Sequence, residues 1–312
     1  MKSHYTNPIT NITREDVETL IKLAIQEDAP EGDITSEAIF DSNQLSTANV
    51  IAKSEGIFCG KKITQHLIYI FNQETNFHIQ LIDSLEDGTI FGEKNILMKI
   101  KGETAGILRI ERILLNFVQY LSGISTITYQ IVQLAKEINP TLNILDTRKT
   151  IPGFRKLVKY AVYCGGGSNH RIHLSDMAMI KDNHIKAAKS ISEAVRKIRQ
   201  KYPHKRIEVE IESIHQIEEA ILSKIDILLL DNMNIEQIKE CLSKIDEICK
   251  KYEIQKPKIE ISGGWKPENL KELTEINNVG ISMGFLTHSV KFLDISMEII
   301  EADNQIPHQQ QA

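Results

Sequence analysis

The sequence has few cysteines and no long apolar run, and each absence excludes a class of protein. Its 312 residues include four cysteines, none in a C-x-x-C pair, so we expect free thiols in a reducing cytoplasm. No segment approaches the roughly 18 apolar residues that cross a membrane. Residues 1–10 are polar and lack the apolar core of a signal peptide, so we predict a cytoplasmic protein without a membrane partner.

Two nucleotide-binding signatures are also missing. No G-x-G-x-x-G fingerprint follows the first strand of the predicted parallel sheet, which argues against a doubly wound dinucleotide-binding sheet, and there is no Walker A loop. The formal net charge is −5, whereas nucleic-acid binders usually carry a basic surplus, so we expect no nucleic-acid partner. The 41% share of hydrophobic residues is too high for a disordered chain, and the length predicts about two globular domains.

The N-terminal part of the chain mixes helical and strand-like patterns in an irregular order. A capping-box pattern at Thr13–Asp16 begins an amphipathic helix, and short strand-like runs surround a second helix that follows Gly60. This order predicts an α+β domain. A long helical stretch follows at 104–135, and we predict an interruption of it at Ser122-Gly123.

From there onwards, strand-like apolar runs alternate with helical segments. The predicted strands are Leu142–Leu145, Ala178–Ile180, Ile207–Ile211, Ile225–Leu230, Lys258–Ile261 and Val279–Met283. Strands that alternate with helices predict a parallel sheet. About six such units fit a closed or nearly closed barrel better than an open sheet.

Each predicted barrel strand ends in charged residues or glycine. These ends are Asp146–Lys149, Lys181–His184, Glu210, Asp231-Asn232, Ser262–Gly264 and Gly284. Because the strands of such barrels end at one mouth, we expect a polar ring there, where active sites form. The glycines of the last two loops allow backbone N–H groups to approach a phosphate closely.

The positive charge of the chain is concentrated near this mouth. Residues 146–186 hold eight Lys and Arg residues against three Asp residues, a net charge of +5. Guanidinium groups pair with carboxylates and phosphates, so we predict a multiply anionic substrate that contains phosphate. Glu210 and Asp231 at the same mouth suit a divalent cation or sugar hydroxyls.

These residues also form a pattern that resembles the quinolinate phosphoribosyltransferase family. The matching segments are EDAPEGDIT (27–35), ERILLNFVQYLSGIST (111–126), DTRKTIPGFRKLVKYAVYCGGGSNHR (146–171), MIKDNHI (179–185), EVEIES (208–213), LLLDNM (228–233), ISGG (261–264) and ISMGFLTHS (281–289). They are collinear and cover nearly the whole chain. The run DTRKT…GGGSNHR…IKDNH is highly specific, whereas a lone TRK or SGG means little.

The resemblance implies an α/β fold of two domains. An N-terminal α/β sandwich would span 1–115 and be joined by a C-terminal helix at 289–303. An open βα barrel similar to a TIM barrel, with about six to seven strands, would span 116–288. Residues 304–312 would form a polar tail.

The same resemblance implies a pentosyltransferase of NAD biosynthesis. The family transfers phosphoribose from phosphoribosyl pyrophosphate to quinolinate and releases pyrophosphate and CO₂, which gives nicotinate mononucleotide. It uses Mg²⁺ and works as a homodimer in which the neighbouring subunit completes each active site.

Site residues follow from the resemblance by position. The quinolinate-binding set would be Arg112 (from the other subunit), Thr147, Arg148, Lys149, His170, Arg171 and Lys181. The set that binds phosphoribosyl pyrophosphate would be Glu210, Asp231, Ser262, Gly263, Gly264, Met283, Gly284 and Phe285. Lys149, Lys181, Glu210 and Asp231 would be the catalytic residues, and Glu210 and Asp231 would also hold Mg²⁺, directly or through the diphosphate.

Two residues depart from the family pattern, and two other functions compete with this one. Phe285 stands where we expect a small residue, and Trp265 stands where we expect an aliphatic one. A sister nicotinate phosphoribosyltransferase would share the fold but handle a monocarboxylate, and the Arg148/Arg171 pair favours a dicarboxylate. A catalytically silent binding relative is the other alternative, and the intact set of charged residues argues against it.

Overall fold

The computed structural model describes residues 5–303, so the predicted polar tail at 304–312 lies outside the described part of the chain. The helices are α1 (Arg14–Asp28), α2 (Ile34–Ile39), α3 (Lys61–Glu74), α4 (Thr104–Ile138), α5 (Arg155–Cys164), α6 (Asp182–Ala188), α7 (Ile191–Lys201), α8 (Ile217–Leu222), α9 (Ile235–Lys251) and α10 (Phe285–His288), with 3-10 turns at Ile214–Gln216 and Pro267–Leu273. The strands are β1 (Leu45–Ala52), β2 (Gly56–Ile57), β3 (Gln80–Ser84), β4 (Ile90–Phe91), β5 (Ile96–Glu103), β6 (Asn143–Leu145), β7 (Ala178–Ile180), β8 (Ile207–Ile211), β9 (Ile227–Asp231), β10 (Lys258–Ser262), β11 (Val279–Ser282) and β12 (Ile295–Asp303).

The chain forms two compact units, which we call the sheet unit and the barrel unit. The sheet unit contains Ile9–Ile127, Ile151–Gly166 and the segment that begins at Val290, and the barrel unit contains 5–8, Thr128–Thr150 and Gly167–Ser289. Relative to the predicted domains 1–115 and 116–288, residues 116–127 and 151–166 fall in the sheet unit. The reason is that α5 buries Leu157, Val158 and Ala161 in the hydrophobic core of that unit.

The sheet unit is built on four antiparallel strands in the order β12-β1-β5-β3, and a small β2–β4 pair accompanies them. Helix α3 buries Ile63, Leu67, Ile70 and Phe71, whose spacing of three and four residues places them on one helical face. This face joins residues of the strands in one apolar core. The N-terminal part is therefore an α/β unit with an antiparallel sheet, as predicted.

Helix α4 is continuous from Thr104 to Ile138, so the predicted interruption at Ser122-Gly123 is wrong. Gly123 lies where the chain returns at residues 290–291, and a Cβ atom at this position would collide with the backbone carbonyl of Lys291. The glycine therefore serves a close backbone approach and does not end the helix.

The predicted C-terminal helix at 289–303 is also wrong, because the described chain ends in a strand. β12 pairs antiparallel with β1, from Ile295 opposite Ala52 to Asp303 opposite Leu45. The apolar residues Ile295, Met297 and Ile299 alternate with polar ones, and this period of two is typical of a strand. The return of the last element to the N-terminal sheet was predicted correctly, but its type was not.

The barrel unit consists of six parallel strands in the order β6-β11-β10-β9-β8-β7. The strands β7 to β11 follow one another around a ring in chain order, and β6 lies next to β11. The ring is open between β6 and β7, because the described strands show no pairing there. Ser168 partly fills this gap through a parallel bridge to Leu145. The α/β fold with an open βα barrel of about six strands is thus confirmed.

The strand bounds agree with the apolar runs in the sequence. β7 and β8 match the predicted ranges residue for residue, and the other four differ by one or two residues at an end. Ile227–Leu230 of β9 are all buried, as expected of a parallel strand that is covered on both faces. Within residues 5–303, no helix has both the length and the apolar character that a membrane span requires.

Candidate active site

A cavity of about 840 Å³ lies at the carboxyl ends of the barrel strands, and all of its lining residues belong to the barrel unit. The lining residues are Asp146, Thr147, Arg148, Lys149, His170, Arg171, Met179, Lys181, Glu210, Leu229, Asp231, Asn232, Glu260, Ser262, Gly263, Gly264, Trp265, Lys266, Pro267, Glu268, Ser282, Gly284, Phe285 and His288. Its volume is within the usual range for a site that holds small-molecule ligands. Thirteen of the fifteen predicted site residues are here, and only Arg112 and Met283 are not.

The lining residues come from alternate positions of the strands. Leu229 and Asp231 of β9 line the cavity, as do Glu260 and Ser262 of β10. Successive side chains of a strand point to opposite faces, so residues two apart share the interior face of a barrel. The period of two therefore explains how one cavity collects polar side chains from consecutive strands.

Two guanidinium groups meet in this cavity without an acidic partner of their own. Arg148 makes no ion pair with a described residue, and its buried Nε has no hydrogen-bond acceptor there. Arg171 is 7% exposed, and burial, together with the nearby charge of Arg148, lowers its pKa. Arg171 makes no ion pair with a described residue either, although the charges of Glu208, Asp176 and Glu210 act on it from a longer distance. Both guanidiniums can therefore pair with a ligand that has two negative groups.

Arg171 is anchored at both ends. Its Nη1 donates to the carbonyl of Met177 at 3.1 Å, and its Nη2 lies 3.4 Å from the sulfur of Met179. At the other end, its backbone N–H donates to Nδ1 of His170 at 2.7 Å. The guanidinium is therefore held in one orientation at the cavity wall.

Lysines at the ends of the first two strands add positive charge to the mouth. Lys181 follows β7 and donates to the Glu210 carboxylate at the end of β8. Lys149 is exposed and lines the cavity, and its backbone N–H donates to the hydroxyl of Thr147 at 3.1 Å. The predicted residues Thr147, Lys149, Lys181 and Glu210 are thus brought together at one mouth.

A glycine loop follows β10 beside Asp231. Gly263 has a φ of +103° and Gly264 a φ of +68°. A Cβ atom at Gly263 would lie 2.8 Å from the backbone nitrogen of Asn232, whereas the space above Gly264 is empty to 4 Å. The loop therefore requires glycine at 263 and leaves open space at 264, where a phosphate can approach the backbone.

Only part of the second predicted phosphate loop lines the cavity. Gly284 and Phe285 line the cavity, but the side chain of Met283 is 1% exposed and lies outside the lining. The amide of Met283 is also used, since it donates to the carbonyl of Leu145 at 3.0 Å. Met283 is therefore an element of the β6–β11 connection, and its assignment to phosphate binding is not supported by the geometry.

Three buried residues below the mouth form a cluster that sequence reasoning found only in part. His170 was predicted, but Glu208 and Glu260 were not, although each stands two residues before a predicted site residue on the same strand face. Nε2 of His170 lies 3.1 Å from Glu208 Oε2 and 3.2 Å from Glu260 Oε2. The period of two was the signal that could have found both acids.

This cluster keeps one proton more than its ordinary pKa values predict. Nδ1 of His170 accepts the backbone N–H of Arg171, so the imidazole is neutral and carries its hydrogen on Nε2. Burial and then the charge of Glu260 raise the pKa of Glu208 to about 7. The two carboxylates therefore retain a proton near neutral pH.

The lining also contains residues that were not assigned a role from the sequence, among them Asp146 and His288. Asp146 is fully buried, accepts the backbone N–H of His170 at 2.8 Å, and accepts the Asn169 amide at 2.7 Å. These two hydrogen bonds connect the segment after Gly167 with the end of β6. His288 lies on α10 and lines the cavity beside Gly284.

Arg112 lies on α4 in the sheet unit, where its side chain is exposed. A residue that completes the active site of a neighbouring subunit has to be exposed in the single chain, as Arg112 is. A single chain leaves that role a prediction.

The site and fold together define an enzyme of small-molecule chemistry: an open α/β barrel whose mouth combines paired guanidiniums with carboxylates and a glycine loop. Comparison with known proteins identifies the family. The model for the quinolinate phosphoribosyl transferase N-terminal domain matches residues 33–122, and that for the C-terminal domain matches residues 124–298. The chain belongs to the quinolinate phosphoribosyltransferase family.

Individual relatives agree. A probable carboxylating nicotinate-nucleotide pyrophosphorylase of Bacillus subtilis is 40% identical over 281 residues, covering 90% of this chain and 92% of the relative. A probable enzyme of the same name from Methanocaldococcus jannaschii is 38% identical over 283 residues, which cover 90% and 96% of the two chains. The crystal structure of NadC from Streptococcus pyogenes has a TM-score of 0.84 and 34% identity, and the match covers 94% of this chain and 100% of that one.

Proposed function

We propose that this protein is a carboxylating nicotinate-nucleotide diphosphorylase, which converts quinolinate and phosphoribosyl pyrophosphate into nicotinate mononucleotide, pyrophosphate and CO₂. The observation that carries the proposal is the pair Arg148 and Arg171, two guanidiniums without acidic partners in one cavity with a glycine loop. Quinolinate carries two adjacent carboxylates, and the cavity offers one guanidinium for each.

Binding of the dicarboxylate follows from charge and geometry. Each guanidinium can form a bidentate pair with a carboxylate, which compensates for the loss of water from both ions. The buried Nε of Arg148 has no acceptor among the described residues, so the ligand would satisfy it. Lys149 and Lys181 would add positive charge at the rim. A monocarboxylate such as nicotinate would leave one guanidinium unpaired.

Glu210 and Asp231 would act on the ribose side of the reaction. Loss of pyrophosphate from phosphoribosyl pyrophosphate gives the ribose C1′ cationic character, and two carboxylates at the same mouth stabilise it electrostatically. The pyridine nitrogen attacks C1′ as the bond to pyrophosphate breaks. Because both reactants are held in place and no proton has to move in this step, positioning and charge account for the catalysis.

Decarboxylation then follows from the product of the first step. Ribosylation makes the ring nitrogen cationic, so it stabilises the electron pair that remains at C2 when the C2–carboxylate bond breaks. CO₂ leaves, and a proton from solvent completes the ring of nicotinate mononucleotide. We assign no residue as the proton donor.

Mg²⁺ is proposed as the metal of this reaction, and the donor set fits it. Mg²⁺ prefers oxygen ligands and commonly uses one or two protein carboxylates together with substrate phosphates. Asp231 is the better-placed carboxylate, because Glu210 is already paired with Lys181, whereas among the described residues the Asp231 side chain accepts one hydrogen bond, from the Asn232 amide at 2.7 Å. When bound, the ion would neutralise the charge of the diphosphate leaving group.

We also propose a cytoplasmic homodimer with shared active sites. The four cysteines are free, which suits a reducing compartment. The exposed Arg112 supports a site completed by a second subunit, and Ile34 and Ile39 on α2 are 83% and 66% exposed, which favours their burial against another chain.

Calorimetric titration tests the substrate assignment directly. We expect quinolinate to bind the purified chain more tightly than nicotinate, because truncating one partner of a desolvated ion pair typically costs about 2–5 kcal/mol. Equal affinity for both acids would refute the dicarboxylate site and favour the nicotinate enzyme. Tight quinolinate binding without CO₂ release in the presence of phosphoribosyl pyrophosphate and Mg²⁺ would identify a catalytically silent relative.

A further inference from the structure

The cluster of His170, Glu208 and Glu260 lies below the proposed substrate site and has no part in the mechanism so far. Its residues are 5%, 0% and 1% exposed. Glu208 and Glu260 project from β8 and β10 on the interior face that also carries Glu210 and Ser262 two residues further on. The cluster thus occupies the layer of side chains directly beneath the residues proposed to hold phosphoribosyl pyrophosphate.

The three side chains have the composition of a metal site, but the hydrogen bonds of His170 leave no lone pair on its ring for a metal ion. One ring or carboxylate atom from each lies within 4.8 Å of the others. Nδ1 of His170 accepts the backbone N–H of Arg171 at 2.7 Å, so its lone pair is used and the ring hydrogen resides on Nε2. A protonated Nε2 donates to Oε1 of Glu208 at 3.4 Å and has no lone pair for a metal ion.

Both ring nitrogens are therefore engaged within the protein. Nε2 contacts Glu208 and Glu260 on one side, and Nδ1 holds the amide of Arg171 on the other. The backbone N–H of His170 is fixed as well, by Asp146. The imidazole thus connects the two buried acids with the backbone amide of Arg171, and Arg171 lines the cavity.

We propose that Glu208 and Glu260 are positioning residues that act through His170 to fix Arg171 for the dicarboxylate. This inference rests on the proposed function and assigns His170 to the same positioning chain instead of to direct contact with substrate. Two guanidiniums discriminate a dicarboxylate only when their separation is constant. A displacement of about 1 Å in a supporting group is enough to lose most of such a site.

A matched pair of double variants tests the proposal. Glu208→Met/Glu260→Met removes both acceptors at nearly constant side-chain length, whereas Glu208→Gln/Glu260→Gln keeps an acceptor oxygen at each position. We expect the Met pair to raise the KM for quinolinate at least about tenfold and the Gln pair to raise it less than about threefold. The KM for phosphoribosyl pyrophosphate should stay within about twofold in both.

The decisive step repeats the Met pair in an Arg171→Ala background. If the acids act through Arg171, their removal adds no further increase in the quinolinate KM once that side chain is gone. The proposal would be overturned if the increases in the quinolinate KM caused by the Met pair and by Arg171→Ala multiply when the variants are combined. A parallel rise in the KM for phosphoribosyl pyrophosphate would also overturn it. If the Met pair does not yield soluble protein, the single Glu260→Met variant takes its place in the same cycle, with the same two outcomes.

Two controls separate this inference from the proposed function. The exposed Glu240→Ala on α9 should leave all kinetic constants unchanged. A wild-type enzyme that turns over quinolinate but shows multiplicative effects refutes the positioning chain alone. A wild-type chain that does not turn over quinolinate refutes the proposed function, and the inference with it.

Discussion

At the scale of single residues, the site is defined by which charged groups lack a partner. Neither Arg148 nor Arg171 makes an ion pair with a described residue, whereas Lys181 is paired with Glu210. Sequence reasoning could name these residues because they stand at strand ends in a specific motif. It could not distinguish a paired cation from an unpaired one, because pairing depends on which strands are neighbours. For the same reason it missed Glu260, whose role exists only next to His170.

The first prediction concerns Arg171. Arg171→Ala should raise the KM for quinolinate by the equivalent of about 2–5 kcal/mol, because it leaves a carboxylate desolvated without a partner. Arg171→Lys keeps the charge but loses the planar fork, so its KM should lie between the two. Steady-state kinetics with each substrate varied separately would check this. An unchanged quinolinate KM in Arg171→Ala would remove the guanidinium pair from the account.

The second prediction concerns pH and stability. A group with a raised folded-state pKa contributes stability below its unfolded pKa and loses it as pH rises through the folded value. For Glu208 that window runs from about 4.5 to about 7. The wild type should therefore lose more free energy of unfolding between pH 4.5 and pH 7.5 than Glu208→Gln does.

Denaturant titrations at the two pH values measure this difference. Tyr5 and Arg171, which interact electrostatically with the same carboxylates, are present in both proteins, so their titration largely cancels. The exposed Glu240→Gln should follow the wild type. Equal losses in the wild type and Glu208→Gln would show that the cluster does not retain the proton.

At the scale of elements, local patterns predicted the barrel strands well and the connections poorly. β7 is a short apolar run and β8 alternates apolar and acidic residues, and both patterns predict a strand without knowledge of its neighbours. The break predicted in α4 was wrong because Gly123 serves a contact with residue 291, far away in sequence. Met283 was placed in the phosphate loop, but its amide is bonded to Leu145 across the sheet. Each failure has the same origin, a partner distant in sequence.

The third prediction compares the two glycines of the loop after β10. Gly263→Ala should destabilise the fold, because φ is +103° and the new Cβ meets the backbone of Asn232 at 2.8 Å. Gly264→Ala meets nothing within 4 Å, and its positive φ should cost only about 1–2 kcal/mol.

Thermal unfolding and substrate titration separate the two effects. Gly264→Ala should still raise the KM for phosphoribosyl pyrophosphate, because its methyl group enters the space left for the phosphate. If Gly263→Ala is no less stable than Gly264→Ala, the loop geometry is incorrect. If Gly264→Ala binds phosphoribosyl pyrophosphate normally, the phosphate lies elsewhere.

At the scale of the whole molecule, the net charge of −5 does not describe the cavity, whose lining holds five Lys and Arg residues and five Asp and Glu residues. Of the eight basic residues in 146–186, four line the cavity, namely Arg148, Lys149, Arg171 and Lys181, whereas the three on α5 fall in the sheet unit. The fold class was predictable because alternating strands and helices leave few arrangements. The bounds of the two units could not be predicted, because α5 lies between barrel strands in sequence but packs in the sheet unit.

The fourth prediction tests the proposed assembly. A chain with Arg112→Ala and a chain with Lys181→Ala should each be nearly inactive. If sites are shared, every mixed dimer has one site with both residues intact, so a statistical mixture should recover about a quarter of wild-type activity. No recovery in dimers verified to contain both chains would show that Arg112 does not serve the neighbouring site.

The most direct test of the central claim is the stoichiometry of a single reaction. Purified protein is incubated with quinolinate, phosphoribosyl pyrophosphate and Mg²⁺, and nicotinate mononucleotide, pyrophosphate and CO₂ are quantified together. The account predicts equal amounts of all three products, and none from nicotinate in place of quinolinate. Mononucleotide formed from nicotinate but not from quinolinate, or pyrophosphate released without CO₂, would contradict it.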